Sequence, residues 1–301
     1  MDESWTRAKG VFAALFVAPV FWLVVFFLAP LAIVWAYSFG ENNGLTAIAI
    51  SGTFSNYVHA VQPLYLGIFL KSFWFAALTT ALCLVVGFPM ALAITFASDK
   101  AKVWLLLLIM LPFWTNLLIR TYALMAVLRT EGYINMTLGF LWNGFGHLAA
   151  LAGAHPPAFQ PLELLHNNFA VVFGLVYVQM PFMVLPLYAA LDRLDRSLLE
   201  ASLDLGAGHA RTFARVVIPL AMPGILSGVI VTLIPSIGAY LTPDLLGGPD
   251  SQMIANVIER QFKIANDWPF GAALSFLLMY LTFIAIAAQA IVARQRKAAR
   301  A

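Results

Sequence analysis

Six long runs of apolar residues dominate this 301-residue sequence and restrict what it can fold into. A helix that crosses a bilayer needs about 20 consecutive, mostly apolar residues. Runs of that length lie at approximately 11–37, 67–97, 103–128, 169–191, 216–240 and 269–293. We therefore predict an all-α membrane protein with six transmembrane helices, the first of them an uncleaved span and not a signal peptide.

The composition excludes most soluble classes of protein. Hydrophobic residues make up 62% of the chain and charged residues only 10%, against about 45–50% and about 25% in ordinary soluble domains. A soluble enzyme, a disordered chain and a nucleic-acid binder are therefore excluded, and the surrounding solvent is membrane lipid. Cys83 is the single cysteine, so an internal disulfide and a Cys-based metal site are excluded, and we predict no metal site.

The basic residues predict the orientation in the membrane. With the N-terminus in the cytoplasm, 12 of the 17 Lys and Arg residues fall on the cytoplasmic side of the six spans. The positive-inside rule therefore places both termini in the cytoplasm. The chain then divides into a cytoplasmic N-terminus (1–10), a transmembrane domain (11–293) and a basic cytoplasmic tail (294–301).

The longest predicted cytoplasmic loop, residues 192–219, carries the most informative pattern. Ser197–Glu200 reads S-L-L-E, which fits a capping box and predicts Ser197 as the N-cap of a short helix. Gly206 follows where such a helix would end in the left-handed conformation. A second short helix is predicted over about 209–217, before Pro219 opens the fifth span. We expect two short helices joined by a glycine hinge and parallel to the membrane.

Two segments on the opposite side of the membrane have local signals. A short surface helix is predicted from Tyr133 to Trp142, and His155-Pro156-Pro157 interrupts any longer helix. A turn rich in Gly and Pro precedes Asp250 and Ser251, either of which is predicted to cap another short helix.

The cytoplasmic loop resembles a known family motif. Its pattern E-A-S, three residues, G, nine residues, V-V-I-P resembles the EAA motif of ABC-importer membrane subunits, usually written E-A-A, three residues, G, nine residues, I, one residue, L-P. Four positions match at the family spacing: Glu200, Ala201, Gly206 and Pro219. Ser202 replaces the second alanine, and Val216 and Ile218 replace the usual Ile and Leu.

Further segments resemble permeases of the spermidine/putrescine type. They are Asp244–Ser251, Asn266–Ala273, and Leu111–Trp114 together with Ile119–Tyr122. With the EAA loop, these segments extend over most of the chain after residue 100.

The resemblance implies a permease subunit of a type I ABC importer in a bacterial inner membrane, and not an enzyme. Such a subunit pairs with a second, homologous permease, binds two ATPase subunits at the cytoplasmic face and receives solute from an external solute-binding protein. It implies that this chain needs no cofactor, because ATP and Mg are bound by the ATPase subunits. The sequence agrees, since it has no G-x-x-x-x-G-K-[ST] phosphate-binding run.

The resemblance also assigns the ATPase-coupling element. The EAA loop is the coupling helix that fits a groove on the ATPase, and its residues here are Glu200, Ala201, Ser202, Gly206 and Pro219. A short amphipathic helix with small residues on its docking side suits such a contact.

The residues permit a small organic cation as substrate, and the resemblance to spermidine/putrescine-type permeases makes polyamine the first choice, with another small organic cation, an amino-acid derivative or a metal-ion chelate as alternatives. Aromatic faces and acceptors suit such a path because they attract a cation without trapping it. The predicted path residues are Trp114, Arg120, Tyr122, Tyr240 and Asp244. Arg120 is the only charge well inside a span, so it faces a cavity or partner, or it snorkels to the interface.

Two other function classes compete with the permease reading. A secondary transporter or channel would need ion ligands inside the spans, and none of the 14 carboxylates lies there. An intramembrane enzyme would need a His, Asp or Ser constellation at membrane depth, and no His or acid is available there.

Overall fold

The computed structural model describes residues 9–43, 47–151 and 157–298, and helices account for most of them. The α-helices are α1 Lys9–Leu23, α2 Ala29–Tyr37, α3 Ser55–Ala60, α4 Pro63–Phe96, α5 Asp99–Trp114, α6 Leu117–Leu128, α7 Tyr133–Leu151, α8 Asn168–Leu191, α9 Arg196–Asp204, α10 His209–Thr212, α11 Ile218–Ile237, α12 Leu241–Leu246, α13 Ile254–Lys263 and α14 Trp268–Ala298. Strands β1 Glu41–Asn43 and β2 Ala47–Ala49 pair antiparallel, with Asn42 opposite Ile48. Most of the predicted N-terminal segment 1–10, and part of the tail 294–301, lie outside the described residues.

Within the described part of the chain, four helical stretches are long and apolar enough to cross a membrane by themselves. They are Leu15–Tyr37, Pro63–Phe96, Asn168–Leu191 and His209–Ile237. These match the first, second, fourth and fifth predicted spans. The sixth predicted span lies in α14, which runs from Trp268 to Ala298 and is apolar over Trp268–Ile284.

The third predicted span, 103–128, was wrong as a single helix. The helix is interrupted at Thr115–Asn116, and the helices before and after this point are bent by 98° relative to each other. Thr115 and Asn116 have extended backbones. The Asn116 side chain accepts a hydrogen bond from the Leu118 amide at 2.8 Å. The Thr115 hydroxyl donates to the Pro112 carbonyl at 2.7 Å. Asn116 is thus the N-cap of a new helix, and this local capping overrides the continuous apolar pattern.

Two π-helical segments lie immediately before prolines. Val24–Leu28 joins α1 to α2 two residues before Pro30, and Phe213–Val217 joins α10 to α11 two residues before Pro219. Proline has no N–H and its ring crowds the carbonyl four residues earlier, so a wider turn accommodates it without ending the helix.

The described chain forms two compact units, residues 1–66 with 257–301, and residues 67–256. In the first unit, α2 and α3 pack against α14. Trp35 Nε1 donates to the Tyr280 hydroxyl at 2.9 Å. The buried Phe270 ring stacks on His59, with 4.5 Å between ring centroids.

In the second unit, α8 and α11 pack closely because glycines on α11 leave no side chain between the two helices. A Cβ on Gly224 would lie 2.5 Å from Ala190 Cβ and 2.7 Å from the Pro186 carbonyl oxygen. A Cβ on Gly228 would lie 2.8 Å from Met183 Sδ. Small residues allow such approach in membrane helices. This G-x-x-x-G pattern therefore serves packing within the chain.

Two local predictions for the connecting segments need correction. Helix α7 extends to Leu151, beyond the predicted end at Trp142, and the predicted interruption at His155–Pro157 falls mostly outside the described residues. Helix α13 begins at Ile254, not at a cap on Asp250 or Ser251. Its first amide groups find other acceptors, since Ile254 N–H donates to Ser72 Oγ at 2.8 Å, an oxygen supplied by α4.

Candidate functional site

Helix α9 carries three of the predicted coupling residues, Glu200, Ala201 and Ser202, and its N-cap lies two residues before the one that the capping box predicted. Its N-cap is Asp195, whose side chain accepts from the Ser197 amide at 3.0 Å. Ser197 as N-cap was therefore wrong. A carboxylate is the stronger acceptor and interacts favourably with the positive end of the helix. The same hydrogen bond lowers the pKa of Asp195 below its usual value.

The other end of α9 is closed by Gly206, as predicted. Gly206 has φ +80°. Its amide donates to the Leu203 carbonyl at 2.9 Å, and the Ala207 amide donates to the Ser202 carbonyl at 3.1 Å. This pair of bonds is a Schellman motif, which ends a helix at a residue in the left-handed region. A glycine is required because a Cβ is strongly disfavoured at this φ.

The two faces of α9 have different surroundings. Leu199 packs on the core formed by α4, α8 and α11, and Ser202 Oγ lies 2.9 Å from Thr212 Oγ1 in a hydrogen bond. Glu200, Ala201 and Leu205 are exposed, the last at 89%. Helix α9 therefore packs on the bundle with one side and leaves a mixed apolar and acidic side exposed.

The segment after Gly206 is continuous with the following span. The predicted second short helix over 209–217 is α10 with the π segment, and it runs into α11 without interruption. Pro219 lies at the second position of α11, where it marks the π turn and does not begin a new helix. The hydrogen bond from Ser202 to Thr212 thus links α9 directly to the start of a helix that extends to Ile237.

We expect loss of the α9 cap to loosen the first turn of this helix. Asp195→Ala removes the acceptor for the Ser197 amide, whereas Asp195→Asn keeps a capping oxygen. Hydrogen exchange of the amides at 197–199 should accelerate several-fold in the alanine variant and little in the asparagine variant. Because the pKa of Asp195 is lowered, the cap's contribution is present above the ordinary carboxyl pKa and is lost as pH falls through the lowered one. Equal exchange in both variants would contradict this capping role.

At the far end of α11 lie two predicted path residues, Tyr240 and Asp244. The helix stops at Gly238, and Tyr240 is the N-cap of the short helix α12. The Tyr240 hydroxyl lies 3.5 Å from Asp244 Oδ2, and the buried Asn256 side chain donates to the Tyr240 carbonyl at 3.1 Å. The exposed Asp244 carboxylate and the tyrosine ring are therefore held one helical turn apart beside a fixed backbone.

The other three predicted path residues do not form one cluster. Trp114 is 75% exposed before the helix break, and Tyr122 is 52% exposed on α6. Arg120 is 9% exposed, and its Nε and Nη1 have no hydrogen-bond partner among the described residues. Two residues along a helix are about 200° apart, so Arg120 and Tyr122 point in different directions. The burial of Arg120 contradicts snorkelling into water as its resting state in this chain.

Sequence reasoning missed three residues that position these groups: Asp195, Thr212 and Asn256. Asp195 had a detectable signal, since a carboxylate followed by Arg-Ser-Leu-Leu also fits an N-cap. Thr212 and Asn256 had none, because their roles depend on tertiary contacts with Ser202 and Tyr240.

Comparison with known proteins identifies the family. The family model described as "Binding-protein-dependent transport system inner membrane component" matches residues 83–298, more than two thirds of the chain. The chain belongs to this family. It is therefore a multi-pass inner-membrane permease of an ABC importer, and its curated relatives carry the names of transport permeases and not of enzymes.

Several curated proteins resemble this permease along most of their length. The spermidine/putrescine transport system permease protein PotB of Escherichia coli (strain K12) is 40% identical over 257 residues, covering 85% of this chain and 88% of PotB. PotB of Haemophilus influenzae is 39% identical over 276 residues, covering 91% and 92%. The inner membrane ABC transporter permease protein YdcU of Escherichia coli (strain K12) is 30% identical over 290 residues, covering 91% and 88%.

Solved structures confirm the fold of the permease. A chain of a bacterial ABC transporter involved in the import of the acidic polysaccharide alginate superposes with a TM-score of 0.69 at 14% identity, covering 98% of this chain and 99% of that chain. The same type of transporter in complex with an alginate pentasaccharide-bound periplasmic protein gives 0.68 at 16% identity. The predicted ABC-importer permease fold is thus confirmed.

Proposed function

We propose that this permease imports a polyamine, spermidine or putrescine, delivered by an external solute-binding protein. The observation that carries this proposal is the 40% identity to PotB across 88% of that protein, whose name assigns it to spermidine/putrescine transport. Another solute, such as an amino-acid derivative or a metal-ion chelate, is the alternative within the same transport mechanism.

Membership of the family supports an assembly of several subunits. We propose a heterodimer with a second, homologous permease, two ATPase subunits at the cytoplasmic face and a binding protein outside. The complex of the alginate transporter with its periplasmic protein supports the last partner by fold analogy. ATP and Mg would be bound by the ATPase subunits.

The coupling role belongs to α9 in this proposal. Its exposed side carries Glu200, Ala201 and Leu205, which combine an acidic group with an apolar surface for helix-in-groove contact. Its other side is tied to α10 by the bond between Ser202 and Thr212. A push on α9 by the ATPase would therefore reach the long helix that begins at His209.

The proposed solute path lies at the opposite end of the long helix His209–Ile237. Asp244 would accept a hydrogen bond from an ammonium group, and the exposed rings of Trp114 and Tyr122, together with the partly buried ring of Tyr240, would offer cation–π contact. Arg120 places a positive charge in the same unit, which would keep the path from holding a polycation too tightly.

The decisive experiment is uptake by the complete importer. The permease, its paired permease, the ATPase and the native binding protein are reconstituted in vesicles, and labelled spermidine and putrescine are supplied with ATP inside. ATP-dependent accumulation of either supports the proposal. Transport of another solute with failure of both polyamines would overturn the substrate while leaving the permease assignment intact.

Labelling of single cysteines tests the proposed orientation, with both termini and residues 192–219 in the cytoplasm. Native Cys83 is fully buried and should stay unlabelled, so it gives a low background. Gly208 is exposed, and a side chain there meets no atom within 4 Å. We expect an impermeant maleimide to label His155→Cys, outside the described residues, in intact cells, and to label Gly208→Cys only after permeabilisation. Labelling of Gly208→Cys from outside would contradict the proposed orientation and indicate the opposite one.

A further inference from the structure

An open cavity of about 980 Å³ lies in the second unit, between the end of α6, the start of α7 and the segment before α8. Typical small-molecule sites enclose roughly 300–1,000 Å³, so its size suits a small solute. Its polar and aromatic lining includes Arg129, Glu131, Tyr133, Glu163 and His166. In the proposed orientation, this cavity opens on the outer side of the membrane. We call it the α6–α8 cavity.

The carboxylates of the α6–α8 cavity are available to a ligand. Glu131 and Glu163 are both exposed, and neither side chain has an ion pair or a hydrogen bond within the described part of the chain. Arg129 also lines the cavity, yet it pairs with neither of them there. The lining therefore has two acids against one base, and the ring of Tyr133 adds an aromatic surface.

The walls of the cavity are fixed by buried polar contacts. Asn135 is 4% exposed; its Nδ2 donates to the Leu162 carbonyl, and its Oδ1 accepts from the Leu162 amide, both at 2.9 Å. This pair of hydrogen bonds ties the segment carrying Glu163 to the first turn of α7, close to Glu131. Two carboxylates that are 32 positions apart in the sequence thus line one preformed space.

The rim of the cavity is joined to the helix that carries Asp244. His166 lies at the rim with φ +59°, its amide donates to the Leu246 carbonyl at 3.0 Å, and its Nδ1 lies 3.4 Å from the Gly247 carbonyl oxygen. Leu246 is the last residue of α12. The lining of the α6–α8 cavity is therefore hydrogen-bonded to the end of the short helix that carries Asp244.

We infer that the α6–α8 cavity is an entry site that receives ammonium groups of the transported cation before they reach Asp244. This inference rests on the proposed function. Both carboxylates, Glu131 and Glu163, attract spermidine, with three ammonium groups, more strongly than putrescine, with two. The cavity therefore favours the more highly charged solute. Its concave shape and connection to α12 favour a passing solute over docking of a protein surface.

The test uses the double variant Glu131→Gln/Glu163→Gln in the complete reconstituted importer. We measure initial uptake of spermidine and putrescine at saturating loaded binding protein, and separately the affinity of the complex for that protein. Exposed ion pairs are individually weak, so spermidine uptake should fall roughly five- to tenfold and putrescine uptake roughly two- to threefold. Affinity for the binding protein should stay unchanged. Arg129→Gln, which removes the positive charge from the same lining, should shift the uptake ratio towards spermidine.

A matched control is Glu41→Gln/Asp250→Asn, which makes the same change in charge at exposed positions outside the cavity lining. It should leave the uptake ratio unchanged. Equal loss of both solutes together with weaker binding-protein affinity would identify the cavity as a protein-docking surface and overturn the inference. An unchanged uptake ratio in the cavity variant would also overturn it. Failure of the wild-type importer to move either polyamine would instead refute the proposed function.

Discussion

Gly206→Val is expected to remove most of the solute-stimulated ATP hydrolysis of the assembled importer while leaving the binding protein able to dock. The φ of +80° at Gly206 costs a residue with a Cβ roughly 1–2 kcal/mol, and a β-branched side chain adds further crowding. That free-energy cost lowers the population of the native helix end, relative to other conformations of the loop, by a factor of roughly 5–30. Helix α9 would then be presented to the ATPase in the wrong direction, and we expect stimulation to fall about tenfold.

Two companion variants separate this effect from general damage to the loop. Gly206→Asn should retain more stimulation than Gly206→Val, because asparagine enters the left-handed region more readily. Gly208→Ser should behave like the wild type, since Gly208 has an ordinary φ of −70° at an N-cap position with open space around it. Normal stimulation in Gly206→Val would mean that α9 is not the coupling element.

Gly224→Val should give the largest loss of stability among the variants considered. The new Cβ would lie 2.7 Å from the Pro186 carbonyl oxygen, and a backbone atom cannot move aside as a flexible side chain does. Forcing α8 and α11 apart should cost about 3 kcal/mol. We expect the thermal unfolding midpoint in detergent to fall by roughly 5–10 °C.

The control for this variant is another glycine within a helix of the same unit. Gly144 lies in α7, and a Cβ there meets no atom within 4 Å. Gly144→Ala should keep or slightly raise the unfolding midpoint, because alanine favours helix more than glycine does. A midpoint for Gly224→Val equal to that of the wild type would show that the two helices separate without cost.

Local and bilayer-imposed features were predictable from the sequence. The bilayer requires long apolar helices, so run length alone located 169–191 and 216–240 within a few residues. Gly206 was predictable because a helix end depends on adjacent residues. The break at Asn116 was missed because one side-chain cap there outweighs a run that is apolar on both sides.

Features that depend on tertiary packing were not predictable. The sequence marks Arg120 as a charge inside a span, but its burial depends on which side of α6 packs against α8 and α12. Asp195 and Ser197 both fit an N-cap pattern, and geometry selected the carboxylate. The α6–α8 cavity joins residues from separate segments through Asn135, a contact that no periodicity indicates.

The continuity of the helix from His209 to Ile237 makes it a mechanical lever within its unit. Its 29 residues span about 43 Å at 1.5 Å per residue. A rotation of only 10° about the end joined to Ser202 would displace the other end by about 7 Å at that length. In the proposed coupling mechanism, a small rotation passed on from α9 would therefore be amplified along the helix into a displacement of several ångströms beside Gly238.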